Sequence, residues 1–304
     1  MSKAACRSGF AGIIGRPNVG KSTILNYYLG SKIAIVSPKP QTTRRRILGV
    51  LTREDAQVAF LDSPGLHRPE HALGRYMQEV AKAVIDEADV LVVVIDARAG
   101  ITRDDEQVFS RVKQAIRSGE ARHRTVIAAI NKVDLVKKPL LLPMMETCIT
   151  RKLFTDCIPV SAVTGVQMDV LLQRIVAALP EGPRWYESDQ PTDQTVVQLI
   201  SELIREQVLL LTHEEVPHAV AVLIETFTPE PQLTRIEATI LVERPGQKAI
   251  VIGRGGDMLK RIGQAARREI ERLLGRKVYL GLWVKRAEHW RQDERILRQL
   301  GYLS

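Results

Sequence analysis

The chain has 304 residues, of which 45% are hydrophobic and 26% charged, and its formal net charge is +9. A chain of this length exceeds what one core usually organises, and its composition is typical of an ordinary globular protein of two domains. It has no apolar run near the roughly 20 residues of a membrane span, no secretion signal and only three scattered cysteines, which together predict a cytoplasmic protein without a transmembrane segment, a disulfide framework or a cysteine metal site.

The first 180 residues alternate apolar runs with stretches of helical spacing. The runs, predicted to be strands buried on both faces, are 10–14, 58–61, 90–95, 125–130 and 157–160, and helices are predicted between them, for example over 76–87 and 104–117. This alternation predicts an α/β domain with a mostly parallel sheet and helices on both faces. Ligand residues in such folds lie in the loops that follow the carboxyl ends of the strands.

The first such loop, "GRPNVGKS" at 15–22, has the spacing of a P-loop between a predicted strand and a predicted helix. Its backbone amides and the helix N-terminus favour phosphate, Lys21 would reach the β- and γ-phosphates, and Ser22 would ligate Mg²⁺. The nucleotide-binding residues predicted here are Gly15, Arg16, Pro17, Asn18, Val19, Gly20, Lys21, Ser22 and Thr23.

The next loop, "SPKPQTTRRRI" at 37–47, contains paired threonines. A threonine here can complete Mg²⁺ coordination when a γ-phosphate is present, which would make the loop a switch. Both Thr42 and Thr43 are nucleotide-site candidates, and Thr43 is favoured as the metal ligand. A plain solvated loop is the alternative interpretation.

The second run ends in "DSPG", in which the Asp62 carboxylate can hold the Mg²⁺ shell and the Gly65 amide can sense the γ-phosphate. Ser22, Thr43 and Asp62 are therefore the predicted metal ligands. The rest of this segment is assigned to the nucleotide site as well: Ser63, Pro64, Gly65 and Leu66.

Two later loops predict guanine rather than adenine as the base. In "NKVD" at 131–134, Asp134 can accept hydrogen bonds from N1–H and the 2-amino group of guanine, which adenine does not offer. Lys132 would lie over the base, and Asn131 would brace the loop. Ser161 and Ala162 follow the last run, where a backbone amide can contact guanine O6.

Leu66 occupies the position where a Ras-like protein has a water-orienting glutamine. The neighbouring His67 is either a titrating candidate or a solvated loop residue. Asn18 either packs the P-loop or ligates a monovalent cation such as K⁺. The predicted catalytic residues are Lys21, Asn18 and Thr43, and hydrolysis is expected to be slow unless a partner or an ion stabilises the developing charge.

A polar, Pro- and Gly-containing stretch at 181–194 is predicted to be a linker, and the elements after it are predicted in the order α-β-β-α-α-β. Charge is segregated here. Residues 186–247 hold three basic and eleven acidic residues, whereas residues 248–304 hold fourteen basic and six acidic ones. This predicts one basic face near the end of the chain, suited to a polyanion.

The basic part contains a GxxG loop, expected between a strand and a basic helix. In KH domains such a loop clamps single-stranded RNA by its backbone. The predicted RNA-binding residues are Gly253, Arg254, Gly255, Gly256, Lys260, Arg261, Arg267 and Arg268, although the basic helix face could be merely solvated. Trp283 and Trp290 are expected in the core rather than as stacking platforms.

Taken together, "SGFAGIIGRPNVGKSTILN", "KIAIVSPKPQTTRRRI", "FLDSPGLHRP", "INKVDL" and the GxxG region closely resemble the Era family of bacterial GTPases over nearly the whole chain. The resemblance implies a G domain at 1–180, a linker at 181–194 and a type II KH domain at 195–304 with a C-terminal helix. It implies a Mg²⁺-dependent GTPase that cycles between GTP and GDP and binds the single-stranded 3′ end of 16S rRNA in small-subunit assembly. It further implies a monomer with peripheral contact to the cytoplasmic face of the inner membrane. The sequence departs from the family pattern in "GRGG", which lacks an asparagine before the last glycine, and in a looser "SAVTG".

Three alternatives remain. One is a related ribosome-assembly GTPase whose KH-like domain is only a scaffold, which the intact Gly253–Gly256 loop disfavours. Another is a pure RNA-binding protein with a degenerate G domain, which intact Lys21, Ser22, Asp62 and Asp134 disfavour. A dynamin-like membrane-remodelling chain is the third, but no long helical stalk is predicted.

Overall fold

The structure is a computed structural model that describes residues 6–66, 71–119, 125–188, 190–213 and 216–303. The chain forms two compact units. The first comprises Met1–Ala34, Thr43–Arg68 and Met77–Asp193, and the second comprises Ile35–Thr42, Pro69–Tyr76 and Gln194–Ser304. Two short stretches from the N-terminal half of the sequence therefore belong to the second unit. The domain boundaries at 180 and 195 stay a prediction.

The first unit is organised around a six-stranded sheet in the order β2-β3-β1-β4-β5-β6. Its strands are β1 (Arg7–Ile14), β2 (Ile47–Thr52), β3 (Ala56–Asp62), β4 (Val90–Asp96), β5 (Thr125–Asn131) and β6 (Asp156–Pro159). All neighbouring strands are parallel except β2 and β3. The five predicted strands and the mostly parallel sheet are confirmed, whereas the antiparallel edge strand β2 was not predicted.

Helices cover both faces of this sheet. They are α1 (Lys21–Leu29), α2 (Ala72–Glu87), α3 (Arg103–Ser118), α4 (Leu141–Thr150) and α5 (Met168–Ala178). One buried cluster joins strand residues such as Ile13 to α1 and α5, and a second joins Ile14 and its neighbours to α2, α3 and α4. Because alternate strand residues enter the two clusters, the strands are apolar on consecutive positions. The loops at the carboxyl ends of the strands are left free for ligand residues.

The second unit contains α6 (Val196–Leu211), β7 (Ala221–Pro229), β8 (Thr234–Val242), α7 (Pro245–Ile252), α8 (Asp257–Leu274), β9 (Val278–Arg286) and α9 (Glu294–Gln299). Its sheet has the order β7-β8-β9, with β7 antiparallel and β9 parallel to β8. The predicted order α-β-β-α-α-β is confirmed and is followed by the short helix α9. The sheet shares one buried cluster with α6, α7 and α8.

Two expectations for this unit are wrong. The residues before Gly253 form α7 rather than a strand, because Pro245 stands in the first helical turn, where its fixed φ and missing N–H are tolerated. Trp283 is 51% exposed and not in the core. Strand alternation places it on the face opposite to Leu282 and Val284, which pack on the core. Trp290 is fully buried, as predicted, and its indole N–H donates to the Ala219 carbonyl at 2.8 Å.

Among the described residues, no helix has both the length and the apolar character that a membrane crossing needs.

Candidate nucleotide and nucleic-acid sites

The P-loop lies between β1 and α1, as its sequence context predicts. Lys21 is buried, and its ammonium donates to the carbonyls of Gly15 at 3.2 Å and Arg16 at 2.9 Å. Burial lowers the pKa of Lys21 to about 8, against the opposing effect of the Asp62 charge. Gly20 has a φ of +102°, and a Cβ there would lie 2.2 Å from Asn131 Nδ2, so the loop and the end of β5 approach too closely for any side chain. The lysine is thus held inside the concave loop where phosphates would be bound.

Three oxygen-bearing side chains meet beside Lys21. Ser22 Oγ donates to Asp62 Oδ2 at 2.6 Å and lies 2.9 Å from Thr43 Oγ1. Asp62 is fully buried, and its Oδ1 is buried without a hydrogen-bond partner. Burial raises the pKa of Asp62 to about 6, although the Lys21 charge and the Ser22 hydrogen bond oppose the rise. A buried carboxylate with an unpaired oxygen beside two hydroxyls is a donor set suited to a hard divalent cation.

The two paired threonines have different environments. Thr43 is buried and contacts Ser22, as described above. The Thr42 hydroxyl instead donates to the Lys39 carbonyl at 2.6 Å. Of the two, the structure therefore brings Thr43 to the cluster, and Thr42 closes a local turn.

The segment after β3 packs directly against the P-loop. Ser63 Oγ donates to the Ile13 carbonyl at 3.0 Å, and the Leu66 amide donates to the Gly15 carbonyl at 3.3 Å. A Cβ on Gly65 would lie 2.7 Å from the Pro17 nitrogen, so only glycine permits this approach. The Leu66 side chain is 5% exposed and belongs to a core cluster. Pro64 is buried next to it, and His67 lies outside the described residues.

The loops after β5 and β6 are joined to the P-loop by one buried amide. Asn131 Nδ2 donates to the Val19 carbonyl at 2.9 Å, and Asn131 Oδ1 accepts from the Ala162 amide at 3.1 Å. Asp134 is exposed, and its Oδ1 accepts from the buried Ser161 hydroxyl at 2.6 Å. The carboxylate is therefore held in a fixed orientation while it remains accessible to a base.

Lys132 connects the loop after β5 to the P-loop. It adopts a left-handed φ of +68°, and its ammonium donates to the Asn18 carbonyl at 2.6 Å and to Asp96 Oδ2 at 2.5 Å. Burial alone would raise the pKa of Asp96, but the hydrogen bond and charge of Lys132 hold it below its usual value. Asn18 also has a left-handed φ, +64°, and is exposed at the surface of the P-loop.

Two carboxylates of this site were missed by sequence reasoning. Asp96 ends β4, and its position after a buried strand was the available signal. Asp105 is the buried third residue of the α3 capping box, whose N-cap is Thr102, and its Oδ2 accepts from Arg16 Nε of the P-loop at 3.2 Å. Its capping position gives no indication of that contact, because helix caps are common. Thr23, the remaining predicted P-loop residue, lies half-buried in the first turn of α1.

The GxxG loop of the second unit is built from left-handed glycines. Gly253, Gly255 and Gly256 have φ values of +75°, +58° and +85°. A Cβ on Gly253 would lie 2.7 Å from Met258, whereas Gly255 and Gly256 face open space. The loop thus presents bare backbone, with the exposed Arg254 between the glycines.

A groove of about 640 Å³ begins at this loop and runs between α8 and β9. Its lining is apolar at the floor, with Leu259, Leu280 and Leu282, and basic at the wall, with Lys260 and Arg267. Arg261 and Arg268 are also exposed, but they lie on the next stripe of α8 and do not line the groove. Of the four predicted helix cations, the structure therefore brings two to the groove.

Comparisons with known proteins cover both units. A family model described as a 50S ribosome-binding GTPase matches residues 10–132, and a KH-domain model matches residues 215–291. The proteins named GTPase Era from Staphylococcus epidermidis and from Staphylococcus haemolyticus are each 46% identical to this chain over 299 residues, which cover 98% of both chains.

Solved structures agree over the same extent. A crystal structure of Era in complex with MgGDPNP and nucleotides 1506-1542 of 16S ribosomal RNA has a TM-score of 0.93 at 39% identity and covers 98% of this chain and 100% of that one. A crystal structure of an Aquifex aeolicus Era variant bound to GDP.AlF4- has a TM-score of 0.92 at 40% identity, with the same coverage.

Proposed function

Because this chain belongs to the Era family of GTPases, we propose that it hydrolyses GTP at the site around Ser22 and binds the 3′ end of 16S rRNA through its KH domain, in the assembly of the small ribosomal subunit. The convergence of Ser22, Thr43 and Asp62 carries the nucleotide half of the proposal. The crystal structure of a relative with MgGDPNP and 16S rRNA nucleotides supports both halves.

Mg²⁺ fits the residues present. Asp62 Oδ1 is buried and unpaired, which is costly unless a cation satisfies it. Ser22, Thr43 and Asp62 would hold the ion, and when bound it would neutralise charge on the phosphate oxygens. Full-length protein should hydrolyse GTP, and the Ser22→Ala variant should lose most of this activity. Equal activity of the two proteins, or activity insensitive to EDTA, would contradict the assignment.

The chain's own groups position the substrate. The P-loop amides and the N-terminus of α1 favour the phosphates, and Lys21 lies inside the loop where its ammonium can exchange carbonyl oxygens for phosphate oxygens. Asp134, oriented by Ser161, accepts hydrogen bonds from the guanine N1–H and 2-amino group. ATP should therefore compete poorly with GTP, and Asp134→Ala should weaken that discrimination by tenfold or more, since a charged hydrogen bond is worth about 1.5–3 kcal/mol.

Leu66 stands at the position where a Ras-like protein has its water-orienting glutamine. The Leu66 side chain packs in the core and has no polar atom to orient water. We assign charge stabilisation to Lys21 and Thr43 and retain two roles for the exposed Asn18, packing of the loop or ligation of K⁺. Hydrolysis rates in K⁺ and in Na⁺, for the parent chain and for Asn18→Ala, distinguish the roles. If Asn18 ligates K⁺, the parent chain should hydrolyse GTP faster in K⁺ than in Na⁺, and Asn18→Ala should lose this difference.

The groove between α8 and β9 is the proposed RNA site. The GxxG backbone would clamp phosphates, the apolar floor would contact bases, and Lys260 and Arg267 would supply charge. RNA binding by the full-length chain and by Gly255→Asp tests this. Unchanged affinity in the variant would favour the alternative in which the KH domain serves only as a scaffold. A cytoplasmic location, a monomeric state and peripheral membrane contact stay predictions from the family resemblance.

A further inference from the structure

We propose that two buried charged residues of α6, Arg205 and Glu206, are positioning residues for GTP hydrolysis. They hold the two ends of the stretch Ile35–Thr42, named here the 35–42 segment, and thereby place Thr43. This inference rests on the proposed GTPase function, for which neither residue was predicted. The 35–42 segment and α6 both belong to the second unit.

The first end of the 35–42 segment is held by Glu206. This carboxylate is 2% exposed, and its Oε1 accepts a hydrogen bond from the Val36 amide at 3.0 Å. Ile35, which precedes that amide, is 3% exposed and belongs to the buried cluster that also contains Ile200 and Ile204 of α6. A backbone amide paired with a buried carboxylate makes a charge-assisted hydrogen bond, which is stronger than one between neutral groups.

The second end is held by Arg205, which is 1% exposed. Its guanidinium forms a two-pronged ion pair with Glu202, Nε to Oε1 at 2.9 Å and Nη2 to Oε2 at 2.5 Å, and Nη2 also donates to the Thr42 carbonyl. Burial alone would lower the pKa of Arg205, but Glu202 raises it, so the guanidinium stays charged. Glu202 fixes the orientation of the planar group, and the Thr42 carbonyl receives a donor that cannot be deprotonated.

The Thr42 carbonyl belongs to the peptide bond that also contains the Thr43 N–H. Rotation of this planar unit moves Thr43, whose hydroxyl lies 2.9 Å from Ser22 Oγ. A guanidinium bond to the carbonyl therefore limits where the Thr43 hydroxyl can lie. The segment enters from Ala34, whose amide and carbonyl are both bonded to Asn26 of α1. The chain between Asn26 and Thr43 is thus fixed at its start by α1 and over 35–42 by α6.

Full-length Arg205→Gln tests this role, because glutamine keeps part of the side chain but loses the fork and the charge. We expect kcat for GTP to fall about tenfold or more, as one charge-assisted hydrogen bond is lost. Affinity for GDP should stay within about twofold, since Thr43 acts on the γ-phosphate side. Arg205→Lys should recover part of kcat, because an ammonium can still donate to the Thr42 carbonyl. A matched control is Ser201→Ala, which removes an α6 hydrogen bond to the Val222 carbonyl of β7 and should leave kcat unchanged.

The outcomes separate this inference from the proposed function. A parent chain without GTP hydrolysis would refute the proposed function and the inference together. A parent that hydrolyses GTP and is inactivated by Ser22→Ala, but is unaffected by Arg205→Gln, would overturn the inference alone. A general loss of folding would lower GDP affinity and the thermal midpoint of Arg205→Gln well below those of Ser201→Ala, and it would also overturn the positioning role. Glu206→Ala gives a second, independent test, with the same expected split between kcat and GDP affinity.

Discussion

Asn131→Ala is the perturbation whose effect follows most directly from the structure. Asn131 is 2% exposed, and its side chain bonds to the Val19 carbonyl at 2.9 Å and the Ala162 amide at 3.1 Å. Alanine removes both bonds and supplies no replacement. The P-loop and the loop after β6 would then lose their shared contact, although neither loop is itself altered.

The size of the effect can be worked from those two partners. Both backbone groups lie at buried residues, and an unpaired buried polar group costs about 1–3 kcal/mol. The two together therefore cost about 2–6 kcal/mol, less whatever water can recover. Since the proposed function places the two loops at opposite ends of the nucleotide, a part of this cost should be a loss of affinity, at least tenfold for GDP and for GTP alike.

Urea unfolding without nucleotide and titration calorimetry with GDP measure the two parts. Asn131→Asp is the graded control, because it keeps an acceptor for the Ala162 amide but loses the donor to Val19, and it should fall between the parent and Asn131→Ala in unfolding free energy. A change in unfolding free energy below 1 kcal/mol, together with GDP affinity within threefold of the parent, would show that these two bonds do not hold the loops together.

Three further predictions concern other parts of the chain. Arg267→Gln should weaken RNA binding several-fold and reduce the slope of log affinity against log salt by about 0.7, the value for one phosphate of a single strand. Arg261→Gln lies outside the groove and should leave the affinity and the slope unchanged. Equal effects of the two variants in filter binding would contradict the groove assignment. Gly20→Ala should abolish GDP binding in calorimetry, because its Cβ would lie 2.2 Å from the side-chain amide nitrogen of Asn131 and its φ is +102°. Retained micromolar binding would contradict this. Asp96→Asn should destabilise the first unit against urea at neutral pH. Because the pKa of Asp96 is held below its ordinary value near 4, the ion pair with Lys132 stabilises the fold above that pH, and this stabilisation is lost as the pH falls through the folded pKa. The difference between parent and variant should thus narrow on acidification, and a difference that grows would refute the sign.

The sequence predicted the parallel strands well because burial on both faces leaves a continuous apolar run, as in Val90–Asp96. It did not reveal Ile47–Thr52, whose apolar residues follow an arginine run and pair antiparallel at the sheet edge. The segment before Gly253 shows a different limit. A short apolar run fits a helix or a strand equally, and the first-turn proline decides between them.

The roles of the predicted nucleotide residues stay predictions, but the contacts of those at strand ends, such as Asp62 with Ser22 and Asp134 with Ser161, agree with their expected positions. Sequence reasoning missed the contacts that a residue makes with a distant partner. Nothing in the local pattern connects Asp105 with Arg16, or Arg205 with Thr42. The structure was also needed to identify which face of α8 lines the groove, because a basic helix carries cations on several faces.

The membership of Ile35–Thr42 in the second unit bears on how the protein can be divided or recombined. A fragment that ends near residue 180 would keep every nucleotide motif yet carry Ile35 without its apolar neighbours and the Val36 amide without Glu206. The hydrolysis rate of such a fragment would reflect the loss of these contacts in the 35–42 segment, and it would not be the rate of an intact G domain. A chimera that exchanges the RNA-binding part would need to exchange the 35–42 segment with it. Substitutions in α6 and in that segment are therefore expected to occur together in relatives, although 163 to 170 residues separate the contacting positions along the chain.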